Sequence, residues 1–238
     1  MKSKSIPDSV PATPILRQQL PRFPDAGWPE MFKAFAHCPA LPLRQAWRDG
    51  PEPGFAGGAV QPARDDTGLW ILARLEGPDF RSRARNPNDP MWALGDAFEI
   101  FLRPPDSTAY WEFHVAPGNL RLRLKFPHAA AVYERKRALG PRGAPDDLIR
   151  PFLLRDDFDS RIRRPDDDGP WTLLARIPFA LLGRPRPDPG EIWTGAFCRY
   201  HYRPGRPDPM LSSTAPLTRP DFHHQPEWNR FVFIPAGD

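Results

Sequence analysis

The stretch YWEFHVAPGNLRLRLKF, Tyr110 to Phe126, decides the fold class. Its first half alternates Trp111, Phe113 and Val115 against Tyr110, Glu112 and His114. Its second half sets Leu120, Leu122, Leu124 and Phe126 against Arg121, Arg123 and Lys125. Period-two alternation is the signature of a strand with one face buried. Pro117-Gly118 between the halves supplies a tight turn. Upstream, DAFEIFLR (Asp96 to Arg103) alternates Phe98, Ile100 and Leu102 against Ala97, Glu99, Phe101 and Arg103, so a three-strand meander is expected.

The same reading extends outward. Leu69, Ile71, Ala73 and Leu75 share one face of a strand, and further strands are expected at Phe158–Arg164, Trp171–Ile177, Ile192–Tyr202 and Asn229–Ile234. Ile177 to Gly183 reads as one helical turn with proline near its start and glycine at its close. Ala129 to Leu139 reads as a short helix over the sheet. The 34 prolines oppose long helices, since an interior proline costs a helix about 3 kcal/mol. The expected fold is all-β, a two-sheet antiparallel sandwich of jelly-roll type with few short helical turns. Residues 1–40 are punctuated by proline and are expected to form an N-terminal arm, with the sandwich proper spanning 41–238. A chain of 238 residues can sustain such a core unaided.

The net charge is +4 and nearly all of the positive charge is arginine, but acidic residues are interleaved with it. That pattern reads as solvated surface and argues against nucleic acid as a partner. No apolar run is long enough to cross a membrane, and Met1 to Leu20 lacks the apolar core of a secretory signal. A cytoplasmic location is therefore expected. Cys38 and Cys198 have no metal-ligand spacing, and their pairing is left open. Oligomeric state is not legible.

The chain contains no phosphate-binding glycine loop, no zinc-protease helix and no nucleophile elbow. No transition-metal site is expected from its six histidines, although a set of His114, His201 and one of His223-His224 is conceivable. Asp65-Asp66 and Asp166-Asp167-Asp168 are the places where calcium could find oxygen ligands. Glu99 and Glu112 fall on one face of neighbouring strands, a pairing that serves either as hydroxyl acceptors or as a glycosidase acid and base. Trp92 and Trp228 lie in loops at strand ends, where an aromatic face can cover the apolar face of a sugar ring or cap the sandwich.

An ordered set of fragments adds to this reading. They are Trp92-x-x-Gly95-Asp96-x-x-Glu99-x-Phe101-Leu102 and Tyr110-x-x-Phe113-x-Val115-x-Pro117, followed by Trp171-x-x-x-Ala175-Arg176-Ile177-Pro178-Phe179. Later come Gly190-Glu191-x-Trp193-x-Gly195-x-Phe197-x-Arg199-Tyr200 and Phe222-His223, with Pro226 and Phe231 close behind. Together they resemble the family 9 carbohydrate-binding modules and their DOMON-like relatives over Leu41 to Ile234. The resemblance implies a β-sandwich that binds saccharide chain ends without catalysis. Trp92 would stack on the sugar, Glu99 would accept hydroxyls, and Arg199 would donate from the same face. Glu112, His114 and His201 complete the expected ligand set, with Trp228 as second stacker. It also implies structural calcium in some members. For DOMON-type haem binding, His114 or His201 would pair with Met91 or Met210. The alternatives are a glycoside-acting enzyme using Glu99 and Glu112, and a structural or interaction domain without a sugar ligand.

Overall fold

The computed structural model describes residues 11–77, 80–164 and 170–235. One sheet is built from the expected meander. β5 (Ala97–Arg103), β6 (Tyr110–Val115) and β7 (Arg121–Phe126) pair antiparallel in sequence. On its other side β5 pairs with β10 (Ile192–His201), which pairs with β12 (Asn229–Phe233) and with the short β11 (Met210–Ser213). The second sheet is β3 (Gly58–Arg64), β4 (Gly68–Leu75), β9 (Trp171–Pro178) and β8 (Asp159–Arg163), with β2 (Leu41–Pro42) on its edge.

The two inner faces supply one core. Ile71, Ala73, Leu173 and Ala175 meet Phe98, Ile100, Phe113, Val115 and Phe197 there, all fully or nearly fully buried. This is the expected all-β sandwich. Gly195 in β10 shows how close its strands lie. A Cβ at that position would stand 2.2 Å from the Phe101 carbonyl oxygen, so no larger residue fits.

The segment before Leu41 is part of the sandwich and not an appended arm. β1 (Ala12–Arg17) pairs parallel with β12 through Ala12 to Ile15 and parallel with β3 through Leu16 and Arg17. It joins the two sheets along one edge. α1 (Trp28–Phe35) then packs Met31 and Phe35 onto the outer face of the second sheet, over Trp70, Leu72 and Leu174. β3 accommodates its internal proline for the same reason. Pro62 lies between Val60, which pairs with β2, and Ala63, which pairs with β1, so its missing N–H faces no ladder partner on that edge.

Cys38 packs in that outer layer, whereas Cys198 packs on the outer face of the first sheet; both are free thiols. No helix among the described residues is long and apolar enough to cross a membrane. The helical turn at Phe179–Leu182 closes on Gly183 in the left-handed conformation, φ 65°, as its sequence suggests.

The outer face of the first sheet is covered as well. α3 (Ala131–Leu139), α4 (Pro145–Ile149) and the segment 215–228 lie over it, enclosing Phe101, Leu122, Leu124, Phe126 and Trp228 in a second core. The leucines of β7 face this outer core, while Trp111, Phe113 and Val115 of the adjacent β6 face the inner one. The apolar sides of neighbouring strands are thus opposite. Arg121, Arg123 and Lys125 of the edge strand β7 remain on the inner side, where Lys125 lies 5.0 Å from the Trp111 ring and Arg121 pairs with Asp157 at 2.8 Å. Alternation alone cannot tell which side is inner when both faces of a sheet are covered.

Candidate functional site

The polar side chains of β5 and β6 come together under this cover. Glu99 stands opposite His114 in the strand register, and Glu112 is two residues before His114 on the same face. The three are 2%, 4% and 0% exposed. The His114 imidazole lies lengthwise between the carboxylates, with Nδ1 3.2 Å from Glu99 Oε1 and Nε2 2.5 Å from Glu112 Oε1. His223, from the covering segment, adds Nδ1 at 3.8 Å from Glu112 Oε2 and 2.9 Å from the Tyr110 hydroxyl.

The four groups hold different protons. Burial pushes the Glu99 carboxyl up, with neighbouring Glu112 adding to the rise and His114 opposing it. Burial also pushes Glu112 up, but His223 and His114 outweigh it and leave that carboxyl below its usual range. For His114, burial acts to lower the pKa and the two glutamates overcome it, so the imidazolium is favoured. Burial lowers His223, with Glu112 and Asp221 opposing. The floor is therefore an imidazolium–carboxylate pair, His114 with Glu112, beside a carboxyl that tends to keep its proton.

A cavity of about 100 Å³ opens above this floor. Trp92 and Tyr200 flank it, Val132 and Lys136 of α3 and Ile149 of α4 roof it, and Asp221 to His223 close one side. Trp92 comes from the short helix α2 (Met91–Leu94), and its ring lies 5.6 Å from that of His114. On the far side of Trp92, Lys136 and Leu148, a second recess of about 210 Å³ runs toward Gly140 to Pro145.

Trp92, Glu99, Glu112 and His114 thus converge as the sequence suggests, but in an enclosed pocket and not on an open face. Arg199 and His201 do not join them. Odd-numbered residues of β10 point into the sandwich with Trp193 and Phe197, so both side chains lie on the opposite side of the sheet from Glu99. Arg199 is fully buried there. Its Nη1 donates to the carbonyls of Ala56 (3.3 Å), Gly57 (2.9 Å) and Glu76 (2.7 Å), while Nη2 lies 3.2 Å from His201 Nδ1. His201 in turn meets Asp96 at 3.0 Å. Burial lowers the Arg199 pKa to about 10, opposed by Asp96 and Glu76.

Trp228 is also fully buried. It packs on Phe101 and Tyr110 and donates its indole N–H to the Phe222 carbonyl at 2.8 Å, supporting the covering segment from below. Sequence reasoning missed Lys136, Tyr200 and Asp221 as pocket residues. The helix expected over the sheet was the available signal for Lys136. Nothing local marked Asp221, whose carboxylate accepts from the Tyr133 hydroxyl at 2.9 Å.

The calcium sites suggested by sequence fare differently. Asp65 is saturated by donors from Thr67, Gly68 and Trp70, and Asp66 is held by Arg17 and Arg186. These carboxylates do not suit a cation. Asp166 to Asp168 lie outside the described residues. Of the two methionines weighed as haem ligands, Met91 is buried in the outer core and Met210 accepts a contact from the Ala56 N–H at 3.4 Å.

No protein-family model matches the sequence, and no curated protein does. Solved structures do match along nearly the whole chain. A Bacteroides uniformis ATCC 8492 protein, described as a candidate carbohydrate-binding protein, superposes with a TM-score of 0.68 at 14% identity, covering 94% of this chain and all of its own. A family 9 carbohydrate-binding module from Caldicellulosiruptor kristjanssonii, solved with cellotriose, gives a TM-score of 0.62 at 13% identity over 95% of this chain and 96% of its own. A family 9 module of the same organism solved with glucose gives 0.61 at 11% identity, over 96% and 98%. The chain has the fold of the family 9 carbohydrate-binding modules.

Proposed function

We propose that this protein is a non-catalytic carbohydrate-binding module that takes the end of a saccharide chain into the pocket beside Trp92. The observation that carries the reading is the convergence of an aromatic side chain with a buried polar floor on the outer face of the first sheet. Glu112 and Glu99 offer hydroxyl acceptors, and His223 and Lys136 offer donors. The Trp92 ring supplies an apolar wall. The solved neighbours with cellotriose and glucose support the ligand class.

The size of the pocket supports an end-on mode. A cavity of 150 Å³ by the usual measure holds one benzene ring. The inner cavity, at about 100 Å³, takes part of one sugar ring and leaves a second unit to the 210 Å³ recess beyond Trp92. An internal stretch of a polysaccharide would have to pass through the floor.

Binding through one aromatic and a few hydrogen bonds falls between about millimolar and micromolar, or roughly −4 to −8 kcal/mol. Titration calorimetry with xylo- and cello-oligosaccharides, guided by a glycan array, tests it. Trp92→Ala should weaken binding by at least tenfold. A wild-type protein that gives no heat with any sugar on the array would overturn the assignment.

One observation favours a second reading, a glycoside-acting enzyme: Glu99 and Glu112 are driven apart in pKa, as a general acid and a carboxylate must be. However, the His114 ring fills the space between them, where a scissile bond would have to lie. Turnover of chromogenic glycosides that is lost in Glu99→Gln would favour the enzyme.

A further inference from the structure

The floor of the pocket holds a donor set that hydroxyl recognition alone does not call for. One oxygen each of Glu99 and Glu112 and one nitrogen of His114 lie within 4.8 Å of one another, and all three side chains are buried. Glu112 Oε2 and His114 Nδ1 are solvent-inaccessible and have no hydrogen-bond partner. Two carboxylates packed together away from water demand a compensating charge or full hydrogen bonding. The imidazolium answers the charge of Glu112, but hydrogen bonding stays incomplete at Glu112 Oε2 and His114 Nδ1.

We propose that Glu99, Glu112 and His114 bind a divalent first-row metal ion of the zinc class. Zinc bonds to oxygen and imidazole nitrogen are about 2.0–2.2 Å long, so ligands of one ion stand no more than about 4 Å apart. A closure of less than about one ångström from the 4.8 Å span brings the three onto one centre. Mixed carboxylate and imidazole donors suit zinc or its first-row neighbours, whereas calcium and magnesium prefer oxygen alone. The two carboxylates neutralise the dication with His114 as a neutral ligand.

The surroundings fit a metal centre. His223 stands beside Glu112, and its Nδ1 is engaged by the Tyr110 hydroxyl at 2.9 Å. A ring nitrogen held in this way fixes the imidazole beside Glu112, so His223 positions that carboxylate while the ligand atoms themselves are those of Glu99, Glu112 and His114. The cavity above gives the ion an entry route and room for water. The inference stands apart from the carbohydrate reading and does not depend on it.

The experiment strips the full chain with EDTA, removes the chelator, and titrates zinc, manganese and calcium chlorides by calorimetry and thermal melting. The expected result is one zinc per chain at micromolar affinity or tighter, with a raised Tm and no comparable effect of calcium. Glu112→Gln and His114→Gln should each weaken zinc binding by more than tenfold. His223→Gln changes a residue of the covering segment and should weaken it by a smaller factor. Because the two buried variants can fail to fold, cobalt substitution of the wild type is the second measurement. Intense visible bands of a four-coordinate ion, held by the three side chains and a water, support the site.

Absence of binding to folded wild-type protein at millimolar zinc overturns it. So does zinc binding that folded Glu112→Gln or His114→Gln retains in full, or a zinc-loaded wild type whose cobalt form shows no such bands. Sugar titrations are run in EDTA, so a sugar-binding protein that takes up no zinc refutes the metal site alone. A zinc-binding protein that takes up no sugar refutes the carbohydrate reading alone.

Discussion

Replacing Arg199 with methionine should cost the protein much of its stability and leave sugar affinity unchanged. The guanidinium reaches from β10 in the first sheet to the Ala56, Gly57 and Glu76 carbonyls at the ends of β3 and β4 in the second. Methionine fills similar volume but donates nothing. A hydrogen bond to a charged group contributes about 1.5–3 kcal/mol, and a stranded buried acceptor costs about 1–3 kcal/mol. The contacts share one nitrogen, so they do not sum, and relief of the buried charge offsets part of the loss. The net expectation is a loss of about 3–5 kcal/mol, against a total stability of about 5–15 kcal/mol for a domain. At roughly 2–4 °C per kcal/mol for a chain of this size, the Tm falls by about 6–20 °C. Arg199→Lys should lie between, because a single ammonium cannot reproduce the planar fork. Urea unfolding followed by tryptophan fluorescence gives the stability, and calorimetry on the folded variant gives the sugar affinity. A loss below about 1 kcal/mol would show that the guanidinium does not tie the sheets together. A folded variant with weakened sugar binding would return Arg199 to the ligand site.

Trp228→Ala should destabilise by about 3–5 kcal/mol, the usual cost of deleting a buried large aromatic, whereas Trp228→Phe should keep sugar affinity within about twofold. The paired urea and calorimetric measurements separate a supporting wall from a stacking platform, since only a stacker would lose affinity in the phenylalanine variant. The metal-free protein should be most stable in weakly acidic solution. Glu112 is depressed, so its contribution is present above the ordinary carboxyl value of 4.5 and is lost as pH falls through its lower folded value. His114 is raised, so its contribution is complete below the ordinary 6.5 and is lost as pH rises through its higher folded value. Glu99, raised from 4.5 to about 8, adds a cost that grows from about pH 4.5 to about 8, while the cost of the lowered His223 is relieved as pH rises toward 6.5. Urea midpoints measured in EDTA from about pH 4 to 9 should therefore peak near pH 5–6, and Glu99→Gln should flatten the alkaline side. A plateau through pH 8 in the wild type would contradict the charge assignment.

The sandwich was legible because both inner faces obey period-two alternation, as Phe98, Ile100 and Leu102 do in the first sheet and Leu69, Ile71, Ala73 and Leu75 in the second. The floor of the pocket was legible for the same reason, since Glu99, Glu112 and His114 follow from strand parity and a hairpin. The family resemblance set Arg199 on that same face, and parity could not check it. The offset between Glu99 and Arg199 depends on the pairing of β5 with β10, which sets Arg199 opposite Phe98. Sequences this far apart carry no signal of register. The burial of the polar face was hidden as well. The segment 215–228 has no regular periodicity, and only the structure shows that Phe222 and Trp228 fold back over the sheet.

The bridging strand has a consequence in time. Ala12 pairs with Arg230 and Leu16 with Ala63, so the strand that seals one seam of the sandwich finds its two partners at very different sequence distances. During synthesis β1 can dock on β3 early, but its other edge stays open until Asn229–Phe233 has left the ribosome. Pairings of such long sequence separation are slow to form and leave edges exposed meanwhile. Sealing of the seam waits on β12, and a translation product stopped before it would carry an unsealed edge beside an otherwise assembled sandwich.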